Sequence, residues 1–391
     1  MATFEFFCAP RIIFGCGQFV RIGELAGELG PRVLAVLSRS ATAGGKRLAE
    51  LRDRLGAAGV RVVETYQRGE PTVASVDAMV ELGRREKCGG VIGLGGGSAI
   101  DAAKAVAGLL THPGGALDYL EIVGKGQRMT RPAAPWVAVP TTAGTGAEVT
   151  RNSVVTGPRF KASIRSEHIL PRVALVDPQL TVDNSPAVTA ASGMDALCQL
   201  IESYTAKGAN PMTDALAMEG IRLAAGCLRR AYRDGGDLEA REGMALAALL
   251  SGLTLGSAGL GAVHAIAPAV GANFPISHGV ACAALLAPVM AANVAALRAE
   301  SAGHPALKRY AMIGRELLGQ PDLPDTQAID EGIAFIRRLV SELDIPHLGT
   351  LGLAAGDVPA MVALAAKANS MKANPVGLDE PALAAVLAEA M

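Results

Sequence analysis

Residues 243–297 run for 55 positions without an Asp, Glu, Lys or Arg. A charge-free stretch of that length is held only by burial, in protein or in lipid. A membrane span needs about 20 consecutive strong hydrophobes. Here the apolar content is mainly Ala and Gly, interrupted by Pro268, Asn273, Pro275, Ser277 and Pro288. The stretch is therefore read as helices buried at the heart of a soluble domain, and no membrane association is expected. Its only ionisable groups are His264, His278 and Cys282.

A chain of 391 residues exceeds what one hydrophobic core usually organises, since domains run roughly 50–250 residues, so two are expected. Half of the residues are hydrophobic and 36 basic residues face 37 acidic ones. That balance excludes a disordered chain, and the lack of a Lys/Arg cluster leaves no electrostatic footprint for nucleic acid. Six cysteines (Cys8, Cys16, Cys88, Cys198, Cys227 and Cys282) form no CxxC pair, and the start, MATFEFFCAPRIIFG, has no basic leader with an apolar run and cleavage site. Reduced thiols in a cytoplasm are the simplest expectation.

The pattern changes near residue 185. Before it, short apolar runs at 11–14, 33–37, 60–65, 90–94, 136–139 and 173–176 read as strands, and 45–58, 72–87 and 99–110 as helices. Strands separated by helices of this length imply right-handed crossovers and a mainly parallel sheet. After it the β-branched runs stop, and Ala/Leu-rich segments at 187–205, 211–232, 238–254, 280–302, 305–314, 326–342, 358–367 and 380–389 read as helices. The expected domains are thus an α/β domain over 1–184 and an all-α domain over 185–391.

The strand at 90–94 runs into GGGSAIDAAKAVA, where Gly95, Gly96, Gly97 and Ser98 precede a helix. Glycines let a backbone pass under a ligand, and the first helical amides present unpaired donors to an anion. The turn is neither a GxGxxG fingerprint nor a Walker loop, because Lys104 lies well inside the helix. A second loop, VPTTAGTGAEVT, adds the hydroxyls of Thr141, Thr142 and Thr145. Each alone reads equally well as a turn; the pair favours a nucleotide.

A third constellation lies in SGMDALCQLIESY. If Ser192 or Gly193 caps this helix, Asp195 and Gln199 project from one face, with Glu202 three residues further. Two histidines and a carboxylate in an uncharged interior suit a divalent cation, because a buried carboxylate without a counter-charge is costly. Such an ion would act as a Lewis acid on an alcohol or carbonyl oxygen.

GGGSAID, PTTAGTGAEVT, DPQLTV, SGMDAL and VHAIA…FPISHGVA, in this order and spacing, resemble the iron-containing (group III) alcohol dehydrogenase family. The likeness runs from APRIIFGCG through NPMTDALA to ANPVGLDEPALAAVLAEA, nearly the whole chain. It implies an N-terminal dinucleotide-binding α/β domain, a helical C-terminal domain, and NAD(P) and a divalent metal, iron or zinc, meeting in the cleft between them. The family motifs place cofactor contacts on Gly95, Gly96, Gly97, Ser98, Asp101 and the loop with Thr141, Thr142 and Thr145, and metal ligands on Asp195, His264 and His278. The implied activity is an NAD(P)-dependent interconversion of a small alcohol and its aldehyde or ketone, in a homo-oligomer.

Three departures from the family stand out. DALCQ replaces DALxH, so Gln199 takes the second ligand position as a weaker fourth donor, and the site is expected to bind metal less tightly or to stay empty. HAIAP replaces HxxxH, so Pro268 stands where the family places a proton-handling histidine; His278 is the candidate for that role if no metal binds, with Asp195 beside it. Ser38 and Arg39 stand where many members carry a ribose-binding aspartate, and they can accommodate a 2′-phosphate, so NADP is as open as NAD. Other readings stay open: a maleylacetate-type reductase, an anionic carbonyl substrate met by Arg151, Arg159, Lys161 and Arg165, or a decayed cofactor-binding or assembly protein.

Overall fold

Residues 33–37 are all buried because their strand is covered on both faces. The computed structural model describes residues 3–6, 11–157 and 160–391; Cys8 and Arg159 lie outside the described residues. The strands are β1 (Ile12–Phe14), β2 (Arg32–Ser38), β3 (Arg61–Gln67), β4 (Gly90–Gly95), β5 (Trp136–Pro140), β6 (Asn152–Gly157), β7 (Phe160–Arg165) and β8 (Val173–Val176). Six of them form one sheet in the order β1-β8-β5-β4-β2-β3, every pair parallel. Around it run helices α1 (Ile22–Gly27), α2 (Lys46–Ala57), α3 (Val73–Arg85), α4 (Gly97–Leu110) and α5 (Ala116–Tyr119).

Successive strand residues face opposite layers. Val33, Ala35 and Leu37 pack with Leu25, Leu51 and Leu55 of α1 and α2, while Leu34 and Val36 pack with Val76, Val80, Ile100 and Val106 of α3 and α4. From β2 the chain steps outward to β3, then returns to lay β4 on the other side of β2 and continues to β5. The strand order therefore reverses between β2 and β4, and in such sheets ligands settle outside the carboxyl ends of the strands at that reversal.

The described residues divide into two compact units, one of 11–142 with Gly146–Asp183, the other of 3–6, Ala143–Thr145 and Asn184–Met391. A single boundary at 184/185 makes no provision for Ala143–Thr145, which group with the helices. The second unit holds α6 (Pro186–Thr205), α7 (Pro211–Arg233), α8 (Leu238–Ala258), α9 (Val263–Asn273), α10 (His278–Glu300), α11 (Pro305–Leu318), α12 (Asp325–Glu342), α13 (Val358–Ala365), α14 (Asn369–Ala373) and α15 (Glu380–Ala390). Ser185, Asn210 and Asp379 cap α6, α7 and α15, each with a proline in the first turn. Helix α10 is long and apolar enough to cross a membrane, but 67% of its apolar window is buried, as expected of a core helix.

The expected strands, and the helices expected at 45–58, 72–87 and 99–110 (α2, α3 and α4), agree with the structure to within a residue or two, while α1 and α5 were not expected. The β6–β7 hairpin was not foreseen: only Ser153, Val155, Ala162 and Ile164 turn inward, between neighbours that stay partly exposed, and so weak an alternation reads as a loop. Helix α4 anchors this hairpin. The fully buried Lys104 donates to Ala147 O (2.8 Å), Thr150 Oγ1 (2.8 Å) and Asn152 O (2.7 Å), matching its three donors. Asp101 Oδ2 accepts the Val154 amide (3.1 Å), and Oδ1 lies 3.6 Å from Lys104 Nζ.

Glu148 is buried beside them, and burial pushes its carboxyl up to about 7, against the pull of its own amide and of Lys104. The unfolded chain releases this proton near the ordinary value of 4.5. The favourable contribution of the neutral acid is thus complete below about pH 4.5 and lost as the pH rises through about 7. Glu148→Gln, neutral throughout, is expected to match wild type near pH 4 and to exceed it by about 3 kcal/mol near pH 8 in urea unfolding. An equal difference at both pH values would contradict this.

Candidate active site

Helix α6 starts at Pro186, capped by Ser185, whose hydroxyl accepts the Val188 amide at 3.3 Å. The cap expected at Ser192 or Gly193 is therefore incorrect: Ser192 lies inside the helix and donates back to Val188 O (2.7 Å). Asp195 consequently sits in mid-helix, too far from the N-terminus for the dipole to offset its charge. Its compensation comes from side chains.

Glu202, two turns after Asp195, fixes the first histidine. Its Oε1 accepts the Val263 amide (2.6 Å), and its Oε2 accepts Nδ1–H of His264 (2.7 Å) and lies 3.4 Å from the His264 amide. One carboxylate thus satisfies the open start of α9 and sets the imidazole so that Nε2 comes within 3.3 Å of Asp195 Oδ1. A carboxylate behind a ligating histidine fixes the tautomer and raises its basicity. Asn374 supports the same turn, its Oδ1 accepting the Ala262 amide (3.1 Å) while its Nδ2 donates to Asn293 Oδ1 (2.7 Å).

His278 is the first residue of α10. A Cβ on the following Gly279 would stand 2.3 Å from Ala191 O, so only glycine lets this helix begin against the backbone of α6. That approach brings His278 Nε2 to 3.7 Å from Asp195 Oδ1 and the two imidazole centroids to 5.3 Å. Cys282, one turn on, places Sγ 3.6 Å from His278 Nε2 and 3.8 Å from His264 Nε2. One ligand atom from each of Asp195, His264, His278 and Cys282 lies within 4.8 Å of all the others.

Burial would raise the Asp195 pKa, but His278 and His264, with Cys282, hold it below the usual carboxylate value. Burial would likewise depress His264, yet Cys282, Asp195 and Glu202 together hold it well above the ordinary imidazole value. Burial and the neighbouring Cys198 push the Cys282 thiol well above its own. His264 and Cys282 are thus biased toward their protonated forms, and Asp195 toward its carboxylate. Three or four buried N, O and S donors converging on one point fit a divalent ion, and binding would release those protons.

The structure brings together Asp195, His264 and His278 as the sequence suggests. Gln199 is buried one turn after Asp195, where its Oε1 accepts the Ser251 hydroxyl (2.8 Å). Sequence reasoning noted Glu202 on the shared face without giving it a role, and passed over Cys282, although its spacing of one helical turn from His278 was a usable signal. Asn374 gave none, since its partner Ala262 is 112 residues away.

In the sheet unit three loops converge. A Cβ on Gly95 would lie 2.5 Å from Ser38 Cβ and 2.7 Å from Ala99 Cβ, so the ends of β2 and β4 nearly touch. The Thr141 amide donates to Gly95 O (2.9 Å), and Thr142 Oγ1 stands 3.2 Å from where a Cβ of Gly96 would be. No side-chain hydrogen bond caps α4, so its first amides, including those of Gly97 and Ser98, are left without a side-chain acceptor. Ser38 Oγ hydrogen-bonds Ser40 Oγ (2.7 Å), and exposed Arg39 lies over the Tyr66 ring at 5.7 Å. Asp101 is not with these groups in its bonding: its carboxylate is taken up by the hairpin and Lys104. Thr145 groups with the helical unit. Lys161 and Arg165, considered for an anionic substrate, pair instead with Glu70 (2.6 Å) and Glu121 (3.3 Å).

Known proteins resemble both halves of the chain. Residues 9–178 match the family model described as iron-containing alcohol dehydrogenase, and residues 189–391 match its C-terminal domain. The choline dehydrogenase of Bacillus subtilis (strain 168) is 35% identical over 388 residues, covering 98% of this chain and 94% of its own. The 1,3-propanediol dehydrogenase of Klebsiella pneumoniae is 41% identical over 312 residues, 78% of this chain and 77% of its own. A crystal structure of a 1,3-propanediol oxidoreductase superposes over the full length of both chains with a TM-score of 0.92 at 36% identity. With both halves matched in order by one family, the chain belongs to the iron-containing alcohol dehydrogenases, NAD(P)-dependent enzymes that interconvert an alcohol and its aldehyde or ketone with the help of a divalent metal.

Proposed function

We propose that Asp195, His264 and His278 hold the divalent metal and that the loops following β2, β4 and β5 hold NAD(P), for the oxidation of a small alcohol or the reverse reduction. The observation that carries this reading is the convergence of two imidazoles on one buried carboxylate, with Glu202 orienting the inner ring. A bound divalent metal supplies Lewis-acid polarisation of the substrate oxygen, which favours the alkoxide needed for hydride to leave. The chain's own part is to place the donors, exclude water and bind the pyrophosphate. Gly95, Gly96 and Gly97 give the cofactor its close approach, and Ser98, Thr141 and Thr142 supply hydroxyls around it. His278, with 32% of its side chain exposed against 3% for Asp195 and 7% for His264, marks the side from which substrate reaches the cluster.

The test is nicotinamide absorbance with Fe²⁺- or Zn²⁺-loaded protein, NADH or NADPH, and a panel of short aldehydes. The expected result is turnover that a chelator abolishes. Tight cofactor binding with no turnover for any substrate would favour the binding or assembly reading instead.

For the adenosine end, Ser38, Ser40 and Arg39 offer two hydroxyls and a guanidinium at the tip of β2, a set that suits a 2′-phosphate. Arg39→Asp is expected to raise the KM for NADPH about tenfold more than that for NADH. Equal changes would exclude this role. The resemblance further supports a homo-oligomer, and the free cysteines Cys88, Cys198, Cys227 and Cys282 suit a reducing cytoplasm; a native mass measurement tests the first point.

A further inference from the structure

The second ligand position of the family motif holds Gln199, a neutral amide already engaged by Ser251. The cluster nevertheless has a fourth donor from a different helix. In a tetrahedral zinc site, ordinary bond lengths put a nitrogen and an oxygen ligand about 3.3 Å apart and a nitrogen and a sulfur about 3.6 Å apart. Here His264 Nε2 and His278 Nε2 lie 3.3 and 3.7 Å from Asp195 Oδ1, and 3.8 and 3.6 Å from Cys282 Sγ. Four edges of the polyhedron thus match a metal-sized hole. The charges also balance, since an aspartate and a thiolate neutralise a divalent ion in a buried site.

We propose that Cys282 is the fourth protein ligand, bound as a thiolate in place of Gln199, and that the resulting Asp/His/His/Cys set favours zinc or another thiophilic ion over Fe²⁺. This rests on the reading that Asp195, His264 and His278 bind metal. On binding, the thiol proton leaves to solvent and the Sγ–metal bond forms, with no change of oxidation state. Cys198 is not an equivalent donor, because its thiol donates to Cys282 O (3.2 Å).

The test is spectroscopic. Metal-free full-length protein titrated with Co²⁺ is expected to take up one equivalent and to develop a near-ultraviolet sulfur-to-cobalt charge-transfer band. Cys282→Ser and Cys282→Ala should lose the band and weaken Zn²⁺ binding by on the order of a hundredfold, at least what an outer-shell partner costs. Cys198→Ala should keep both. Circular dichroism identifies any variant that fails to fold, and a band in wild type that persists in Cys198→Ala still supports the assignment if neither Cys282 variant folds. Cobalt bound without the band, or a band lost in Cys198→Ala alone, overturns Cys282 ligation and leaves the three-ligand reading standing. No cobalt bound by wild type overturns both.

Discussion

Asp195→Ala is expected to leave a folded protein that binds cofactor, holds no stoichiometric metal and turns over at least about a thousandfold more slowly, since Lewis-acid stabilisation is worth several kcal/mol. Asp195 is the carboxylate that both imidazoles approach, at 3.3 and 3.7 Å. Removing it takes away a direct ligand and the charge that balances the ion. Asp195→Asn, which keeps the volume, should fail in the same way, showing that the loss comes from charge and not from a cavity. Metal content, cofactor affinity and kcat measured on each variant check this. A variant that retained stoichiometric metal and more than about a tenth of the wild-type kcat would remove Asp195 from the site.

Gly95→Ala is the second large effect, and it falls on the sheet unit. The backbone at Gly95 has φ +157°, and the added methyl would meet Ser38 Cβ at 2.5 Å and Ala99 Cβ at 2.7 Å. Neither atom is the end of a flexible side chain, so β2 and the start of α4 must part. Overpacking of this kind costs about 1–3 kcal/mol, and here it displaces the amides and the serine assigned to the cofactor. Affinity for NADH and NADPH, read by nicotinamide fluorescence, should fall by on the order of a hundredfold, equivalent to roughly 2.7 kcal/mol, with metal content unchanged. Unchanged cofactor affinity would show that the glycine turn is only a turn.

The pattern of residues made much of this architecture readable. The β2 run of five buried aliphatics and the glycine turn after β4 each obey a local rule, period and turn chemistry, that needs no distant partner. The hairpin of β6 and β7 escaped because its stability comes from Lys104 and Asp101 on α4, some fifty residues earlier, rather than from its own alternation. The same division holds at the metal cluster. Asp195, His264 and His278 stood out as polar groups in an apolar setting. Cys282 did not, because a buried thiol passes for an ordinary small hydrophobe. Glu202 and Asn374 act through backbone amides of a turn that lies sixty residues or more away in the chain, a pairing that only tertiary structure creates.

The most direct measurement is an anomalous difference map from crystals of the protein grown with Zn²⁺ or Co²⁺, collected at the metal edge. The account predicts one dominant peak in the helical unit, about 2.0–2.3 Å from Asp195 Oδ1, His264 Nε2 and His278 Nε2. A dominant peak elsewhere, or none at full metal loading, would contradict it.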